Sequence, residues 1–302
     1  MKKLVGITIK SLFKNYGIYG AIDIAKQVGA DAIDFDLSGN DYRNPSSIYA
    51  LADDWRFIDH FKSIRRYAEQ KGIKICQTHG RTDPFKENDD EYNNVAFYKN
   101  SELDLIASKI LGAPVCVFHP GLTSTNPNAT PEEMREKTFN AFKNILPLAK
   151  ENGVKIALET VGAIHALGDI IDFFGNFEEY YNLYTRIESI DEYKDYFCCC
   201  IDTGHINLAV KHGQPTPDEI IRKMGKRIEC LHLHDNNGYI DQHRLICGGT
   251  INWVKVFKAL NEIGYEGVYN TETSFNSITV SFNTETADFA VKLVKHFVSL
   301  YC

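Results

Sequence analysis

The chain has 302 residues, of which 44% are hydrophobic and 24% are charged, a composition typical of a soluble globular protein with a large core. Its formal charge of -7 argues against a general affinity for nucleic acid or for an anionic membrane, because both are polyanions. No apolar run approaches the roughly 20 residues that a membrane helix needs, and the basic start "MKKLVGITIKSLFK" is followed by no signal-peptide cleavage site.

Eight short apolar or β-branched runs alternate along the chain with longer amphipathic segments. The candidate strands are residues 4–9, 31–35, 73–78, 114–119, 154–159, 197–202, 228–234 and 267–272. The candidate helices lie near 53–71, 95–111, 131–151, 252–263 and 284–300. In the first of these helices, apolar residues recur at three-residue spacing and predict a core stripe: Trp55, Ile58, Phe61, Ile64 and Tyr67. Glycine adopts the left-handed conformation that ends a helix, and it stands before four of the strands, at Gly72, Gly112, Gly153 and Gly264.

Strand runs that are hydrophobic throughout, rather than alternating, predict a parallel sheet covered by helices. The count of eight favours an α/β fold of the single (β/α)8 TIM-barrel class over a doubly wound sheet. No Gly/Ser/Pro-rich linker divides the sequence, so one domain is expected over 1–302. The stretch 162–196 is long for one connection, and it predicts an extra loop and helix on the barrel rim.

The eight cysteines do not indicate a disulfide scaffold. Six of them fall in or beside the apolar strand-like runs, where cysteine behaves as a small buried hydrophobe: Cys76, Cys116, Cys198, Cys199, Cys200 and Cys230. The three neighbours in "CCC" cannot cross-link distant loops, and no C-x-x-C pair is present to bind structural zinc. We therefore expect a cytoplasmic protein with reduced thiols.

Carboxylates and imidazoles recur at the carboxyl ends of the predicted strands, where barrels of this class carry their functional groups. The strand-end donors are His79, His119, Glu159, Asp202, His232 or His234, and Glu272. Three more follow shortly after the sixth and seventh strands: His205, Asp241 and His243. Six of the ten histidines thus lie at one predicted mouth of the barrel.

Each donor taken alone has a simpler interpretation. A strand-end histidine can be a hydrogen-bonded rim residue, and Asp202 with Thr203 can cap a helix that begins near His205. Taken together, several buried carboxylates are costly unless a cation neutralises them. A metal site is therefore the better explanation, and the mixed His/carboxylate donors favour Zn, Mn, Co or Fe over an all-oxygen Ca site.

The motifs "ALETVG", "CIDTGH", "LHLHDN", "DQH…GGTINW" and the final "TE" resemble the xylose isomerase-like TIM-barrel superfamily, and the resemblance covers nearly the whole chain. That group includes sugar and sugar-phosphate isomerases and epimerases, inosose dehydratases, and abasic-site nucleases of the endonuclease IV type. The motifs are specific for the superfamily and much less specific for the reaction.

In the ketose 3-epimerase branch, the resemblance implies one metal held by Glu159, Asp202, His234 and Glu272, with His232 as the alternative histidine. The two glutamates would also be the catalytic groups that move protons on opposite faces of the sugar. Substrate contacts are expected at His205 and His79, and also at Asp34 and Arg244, although Asp34 could equally be a rim residue and Arg244 could be solvent-exposed. One divalent ion (Mn, Zn, Co or Mg) is expected.

The nuclease branch uses three zinc ions, and its ligands also have counterparts in this chain. His79, His119 and Glu159 match the first ion, and Glu159, Asp202, His232 and Glu272 match the second. His205, Asp241 and His243 match the third, so up to three metals are compatible with the sequence.

The loops at the predicted mouth distinguish between the two branches. The loop "GRTDPFKENDDEYNN" carries more acidic than basic residues, and "PGLTSTNPNATP" carries no charge. DNA binding requires Lys and Arg on such loops. The favoured function is therefore a metal-dependent isomerase or epimerase acting on a small sugar, sugar phosphate or polyol, with a phosphodiester hydrolase and an inosose-type dehydratase as alternatives. No nucleic-acid or membrane partner is expected, and a homo-oligomer is compatible with the sequence.

Overall fold

The computed structural model describes residues 2–164, 170–275 and 280–302. The strands are β1 Val5–Thr8, β2 Ala32–Asp36, β3 Lys74–His79, β4 Val115–Phe118, β5 Lys155–Glu159, β6 Ala163–Ile164, β7 Ile170–Ile171, β8 Phe197–Asp202, β9 Ile228–His232 and β10 Tyr269–Thr271. The helices are α1 Lys10–Gln27, α2 Trp55–Gln70, α3 Phe97–Leu111, α4 Pro131–Asn152, α5 Phe177–Glu188, α6 Thr203–Val210, α7 Pro217–Met224, α8 Trp253–Glu262 and α9 Asn283–Tyr301. All eight predicted strands are present, each within three residues of its predicted ends.

The chain forms two compact units, and the first unit comprises residues 1–35, 67–76 and 199–302. Within it, β8 pairs with β9, β10 with β1, and β1 with β2, and every pair is parallel. Leu233, just past β9, forms a parallel bridge with Thr271 at the end of β10. The register places Thr8 opposite Asp34 and Asp202 opposite His232. The polar ends of these strands therefore lie at the same edge of the sheet.

The second unit comprises residues 36–66 and 77–198. Its parallel pairs join the end of β3 to β4, and β4 to β5. His79 is in register with Val117, and Phe118 is in register with Leu158. Because β4 ends one residue before His119 and β5 ends at Glu159, the strand-end donors of this unit also share one edge.

The predicted helix-ending glycines are confirmed. Gly72, Gly112, Gly153 and Gly264 have φ angles of 67°, 79°, 65° and 66°. An L-residue with a Cβ is strained in this left-handed region, whereas glycine adopts it without cost. Each glycine lets the chain leave its helix and turn directly toward the following strand.

The core stripe predicted on α2 is wrong in part. Phe61 and Ile64 are buried as expected, but Trp55 is 71% exposed and Ile58 is 45% exposed. A three-residue step falls short of the 3.6-residue helical turn, so a run of such steps winds around the helix instead of following one face. The buried face instead runs through Phe57, Phe61, Ile64 and Ala68, at steps of four and three residues.

Two helices were missed at the sequence level, α1 and α7. The start of α7 carries a readable signal, since Pro217 follows Thr216 and a capping box joins Thr216 to Glu219. Within 162–196, where the sequence predicts an extra loop and helix, the described residues form the antiparallel pair β6–β7 and the helix α5, and residues 165–169 lie outside the described part of the chain.

Among the described residues, no helix combines the length and apolar character needed to cross a membrane.

Candidate metal centre

Three strand-end donors meet in the second unit. The Nε2 atoms of His79 and His119 lie 3.2 Å and 3.0 Å from the same carboxylate oxygen, Oε2 of Glu159. The peptide N–H of His119 donates to the carbonyl of Arg81, which fixes the backbone of one histidine relative to the turn that follows the other. The sequence predicted that these residues lie together, and the structure brings them together.

Asp202 organises the start of α6 in the first unit. It is the N-cap of α6, and its Oδ1 accepts the peptide N–H of His205 at 2.6 Å. Its carboxylate also lies 3.0 Å from Nε2 of His234. Asp202 is therefore a helix cap, as the simpler interpretation holds. Its carboxylate nevertheless also lies close to the rings of His205 and His234.

His232 lies deeper in the first unit, among carboxylates. Its Nδ1 is 3.3 Å from Oε2 of Glu272 and 3.8 Å from Oδ2 of Asp202, while its Nε2 is 3.1 Å from Oδ2 of Asp34. His232, Asp202 and Asp34 have no exposed surface, whereas the Glu272 side chain is 15% exposed. Of the three carboxylates that lie near His232 in the first unit, only that of Glu272 is therefore accessible to a solute.

The loop after β9 carries Asp241 and His243. Its base is closed by reciprocal backbone hydrogen bonds between Asp235 and Arg244, of 3.0 Å and 2.8 Å. The buried Asp235 carboxylate accepts the indole N–H of Trp253 at 2.8 Å, which anchors this base to α8. The loop is therefore held at both ends, and its donors are carried at a fixed position.

Four donors converge at this loop. His243 Nε2 and His205 Nε2 lie 2.9 Å and 3.5 Å from Oδ2 of Asp241, and His234 Nδ1 lies 3.9 Å from its Oδ1. The His234 and His243 rings stack with centroids 4.0 Å apart. The backbone carbonyl of Glu272 accepts a hydrogen bond from His243 Nδ1 at 2.9 Å. This bond orients the ring so that its Nε2 faces Asp241.

Electrostatics in this group favour a charged pair. Burial acts to raise the pKa of Asp241, but His205 and His243 outweigh it and hold that pKa well below its usual range. Burial likewise acts to lower the pKa of His243, yet the hydrogen bond to Asp241 and the charge of Glu272 raise it to about 10. Binding of a divalent ion through the His243 ring would therefore require the loss of a proton from that ring.

The spacing of both donor sets fits a divalent ion. Donors held tetrahedrally at about 2.0–2.1 Å from zinc lie about 3.3 Å from one another. The sets His79, His119, Glu159 and His205, His234, Asp241, His243 each offer ligand atoms within 4.8 Å of one another. Their imidazole and carboxylate chemistry suits Zn, Mn, Co or Fe better than Ca.

Two predicted substrate contacts occupy other positions. Asp34 is fully buried, where it meets His232 and accepts the Thr8 hydroxyl at 3.1 Å, and this placement favours a role behind the histidine over direct substrate contact. The Arg244 guanidinium donates to the carbonyl of Gly248, four residues further along the chain, at 3.0 Å. His205 and His79, the other two, lie among the donor groups.

Sequence reasoning missed a buried ion pair beside His79. Arg81 donates to the Asp104 carboxylate through Nε at 2.8 Å and Nη2 at 3.0 Å, and Tyr49 donates to the same carboxylate at 2.6 Å. The guanidinium also donates to the carbonyls of Leu37 and Asn40 at 2.7 Å and 2.6 Å. Asp104 could have indicated this pair at the sequence level, because an aspartate on the apolar face of a helix needs a buried partner.

Replacing Gly204 by alanine should weaken metal binding at the group around Asp241. The added Cβ would overlap the His234 ring at Cε1, so the imidazole must leave its place against His243. Alanine favours the helix more than glycine does, so helix destabilisation would not explain a loss. We expect zinc affinity at this group to fall about tenfold or more, as when ligand placement is disturbed.

The matched control for this variant is Gly39→Ala, because nothing lies within 4 Å of the Cβ that it would add. Zinc titration of both variants checks the expectation. An unchanged affinity in folded Gly204→Ala would show that His234 does not contribute to binding.

Comparisons with known proteins agree with this architecture. The chain is similar to a D-tagatose 3-epimerase-like protein of known structure, with a TM-score of 0.72, 20% identity and 98% of each chain covered. It is likewise similar to the IolI protein, solved with a bound zinc atom, with a TM-score of 0.71, 18% identity and 99% of each chain covered. At these identities the likeness shows the fold.

Sequence comparison identifies curated relatives and a family. The chain is 31% identical over 163 residues to the uncharacterized protein MJ1311 of Methanocaldococcus jannaschii, covering 54% of this chain and 51% of that protein. The chain spans about half the length of the first curated relatives it matches. A profile of the family described as xylose isomerase-like TIM barrel matches residues 22–288. The chain therefore belongs to the xylose isomerase-like TIM-barrel family, which confirms the predicted (β/α)8 fold class.

Proposed function

We propose that the protein is a divalent-metal-dependent isomerase or epimerase of a small sugar, sugar phosphate or polyol. The similar solved structures include proteins described as sugar epimerases, which supports an isomerase-type reaction. The zinc atom in the similar IolI structure supports a divalent ion, as do the imidazole and carboxylate donors of this chain.

The observation that carries the proposal is the position of Glu272. Its carboxylate is partly exposed, and it lies 3.3 Å from Nδ1 of His232 and 3.8 Å from Nδ1 of His243. A carboxylate that abstracts a proton from carbon must be reachable by substrate and held close to the groups that bind it. The fully buried Asp202 and Asp34 meet only the second of these conditions.

The proposed roles of the residues follow from their surroundings. Asp202, His232 and Glu272 would hold the ion. A bound divalent ion would polarise the substrate carbonyl and stabilise the negative charge that develops when the adjacent C–H proton leaves. Glu272 would take up that proton and return it. His205, whose side chain is 15% exposed, would hydrogen-bond a substrate oxygen.

Deuterium exchange tests this proposal. The metal-free protein is reconstituted with Mn²⁺, Co²⁺ or Zn²⁺ and incubated in deuterated water with ketopentoses, ketohexoses, their phosphates and inosose-type polyol ketones. We expect deuterium to enter the carbon next to the carbonyl of one substrate class, followed by mass spectrometry and NMR. Loss of water from the same substrate would instead indicate a dehydratase with the same donors. Phosphodiester cleavage without label incorporation would contradict the proposal.

A second candidate is a phosphodiester hydrolase with several zinc ions. The observation in its favour is that each unit carries its own metal-capable donor set, at Glu159 in the second unit and at Asp241 in the first. Against it, Arg81, a basic residue of the loop after β3, is turned inward to Asp104 and cannot meet a phosphate. Metal analysis separates the two candidates, because about three zinc ions per chain would favour the hydrolase and about one would favour the isomerase.

A further inference from the structure

Two side chains from widely separated strands meet inside the first unit. Asp34 is on β2 and His232 ends β9, with β10 and β1 between them in the order of pairing. Nevertheless, Nε2 of His232 lies 3.1 Å from Oδ2 of Asp34, and neither residue has exposed surface. A contact of this kind runs across the interior instead of along a strand pair, so it depends on both side chains pointing inward.

The Asp34 carboxylate is itself held in place by a chain of donors. Asn270 Nδ2 donates to the Thr8 hydroxyl oxygen at 3.0 Å, and that hydroxyl donates to Oδ2 of Asp34 at 3.1 Å. Thr8 also stands opposite Asp34 in the β1–β2 register. Because burial makes an ionised carboxylate dependent on its donors, this arrangement fixes the orientation of Asp34 and the direction in which it accepts from His232.

The opposite nitrogen of His232 faces the candidate ligands. Its Nδ1 lies 3.3 Å from Oε2 of Glu272 and 3.8 Å from Oδ2 of Asp202. His234 has a different environment, with Nε2 at 3.0 Å from Asp202 and Nδ1 toward Asp241. The Nδ1 atom of His232 therefore faces Asp202 and Glu272, whereas His234 lies between Asp202 on one side and Asp241 with His243 on the other.

We propose that Asp34 is a positioning residue that holds His232 as the Nε2–H tautomer and presents its Nδ1 to a divalent ion together with Asp202 and Glu272. This inference rests on the metal dependence in the proposed function, but not on the reaction. A carboxylate behind a ligating histidine fixes the ring and increases the basicity of the ligating nitrogen. Asp34 would thus raise metal affinity without touching the ion or the substrate.

The variant Asp34→Asn tests the proposal, because it keeps the shape of the side chain and removes its charge. We expect zinc affinity, measured by titration against a chelator of known affinity, to fall about 10- to 100-fold, the range seen when such outer carboxylates are removed. The matched control is Asp31→Asn, which removes the same charge just before β2, where Asp31 pairs with Lys2 and the Val5 N–H. The control should bind zinc as the unchanged protein does.

A second measurement needs no change at Asp34. In the metal-free protein labelled with ¹⁵N-histidine, long-range proton–nitrogen correlation reports which ring nitrogen carries the proton, and His232→Gln assigns the signal. We expect His232 to be protonated at Nε2. If Asp34→Asn does not fold, Thr8→Val should lower zinc affinity in the same direction by removing a donor to Asp34.

An Nδ1–H tautomer for His232, or full zinc affinity in folded Asp34→Asn, would overturn the proposal. Failure of the reaction is distinguishable from this outcome. If no substrate exchanges deuterium while Asp34→Asn still weakens zinc binding, then the proposed reaction is wrong and the role of Asp34 stands.

Discussion

Replacement of Glu272 by glutamine should lower the rate of deuterium exchange into substrate by at least about 10²-fold, measured at saturating divalent metal. A positioned carboxylate that transfers a proton contributes typically 10²–10⁴-fold to rate. Glutamine keeps the size of the side chain but cannot accept a proton. Since Glu272 also faces His232 Nδ1 at 3.3 Å, its replacement should weaken metal binding as well, which is why the metal must be saturating.

The matched control is Glu266→Gln, an exposed glutamate that precedes β10 at the opposite end of the same strand. Its exchange rate should equal that of the unchanged protein. Metal content is measured alongside, so that a protein that has simply lost its ion is recognised. A Glu272→Gln protein that is fully loaded with metal and exchanges deuterium at the normal rate would remove Glu272 from the proton-transfer role.

Replacement of Asp104 by alanine should lower the free energy of unfolding by about 3–5 kcal/mol, the cost of leaving a buried charge without its partner. Arg81 is 7% exposed, and burial opposes its charged form, but the Asp104 carboxylate outweighs this effect and raises the pKa of Arg81. A guanidinium has so high an intrinsic pKa that it stays charged in proteins, so Arg81 remains a buried charge after Asp104 is removed. Urea denaturation of the single variant measures the loss.

A double variant separates charge from packing. Arg81→Met combined with Asp104→Leu replaces the pair by apolar side chains of comparable size and should recover part of the stability lost in Asp104→Ala. The carbonyls of Leu37 and Asn40 would each lose the guanidinium as a donor, so full recovery is not expected. The exposed pair of Arg56 and Asp54 provides the control, because Asp54→Ala should change stability much less. Equal losses from Asp104→Ala and Asp54→Ala would contradict this account.

The strands and the donors at their ends could be predicted from the sequence for a physical reason. A parallel strand buried on both faces must be apolar throughout, so a carboxylate or an imidazole marks the residue where the strand leaves the core. Glu159 and Asp202 are the last residues of β5 and β8, as predicted. The glycines that end helices could be predicted as well, because only glycine readily adopts their positive φ angles.

Other features depended on pairings that a linear pattern does not contain. Nothing around Asp34 indicates that its partner is His232, 198 residues away. The choice between His232 and His234 was open in the sequence because both follow from one "HLH" motif, and it depends on which ring nitrogen each neighbouring carboxylate faces. The prediction that Trp55 belongs to a buried helical face was wrong, because a short run of apolar residues at three-residue spacing does not stay on one face of a helix.

The closed base of the segment between Asp235 and Arg244 has an evolutionary consequence. The two backbone hydrogen bonds at that base close the segment on itself, and β9 is held by its own pairing with β8, so a change in the length of residues 237–242 need not disturb β9. Asp241 and His243 can be gained or lost in one insertion or deletion while His232 stays where it is. Such a change would remove one group of candidate ligands and leave the group around His232 intact.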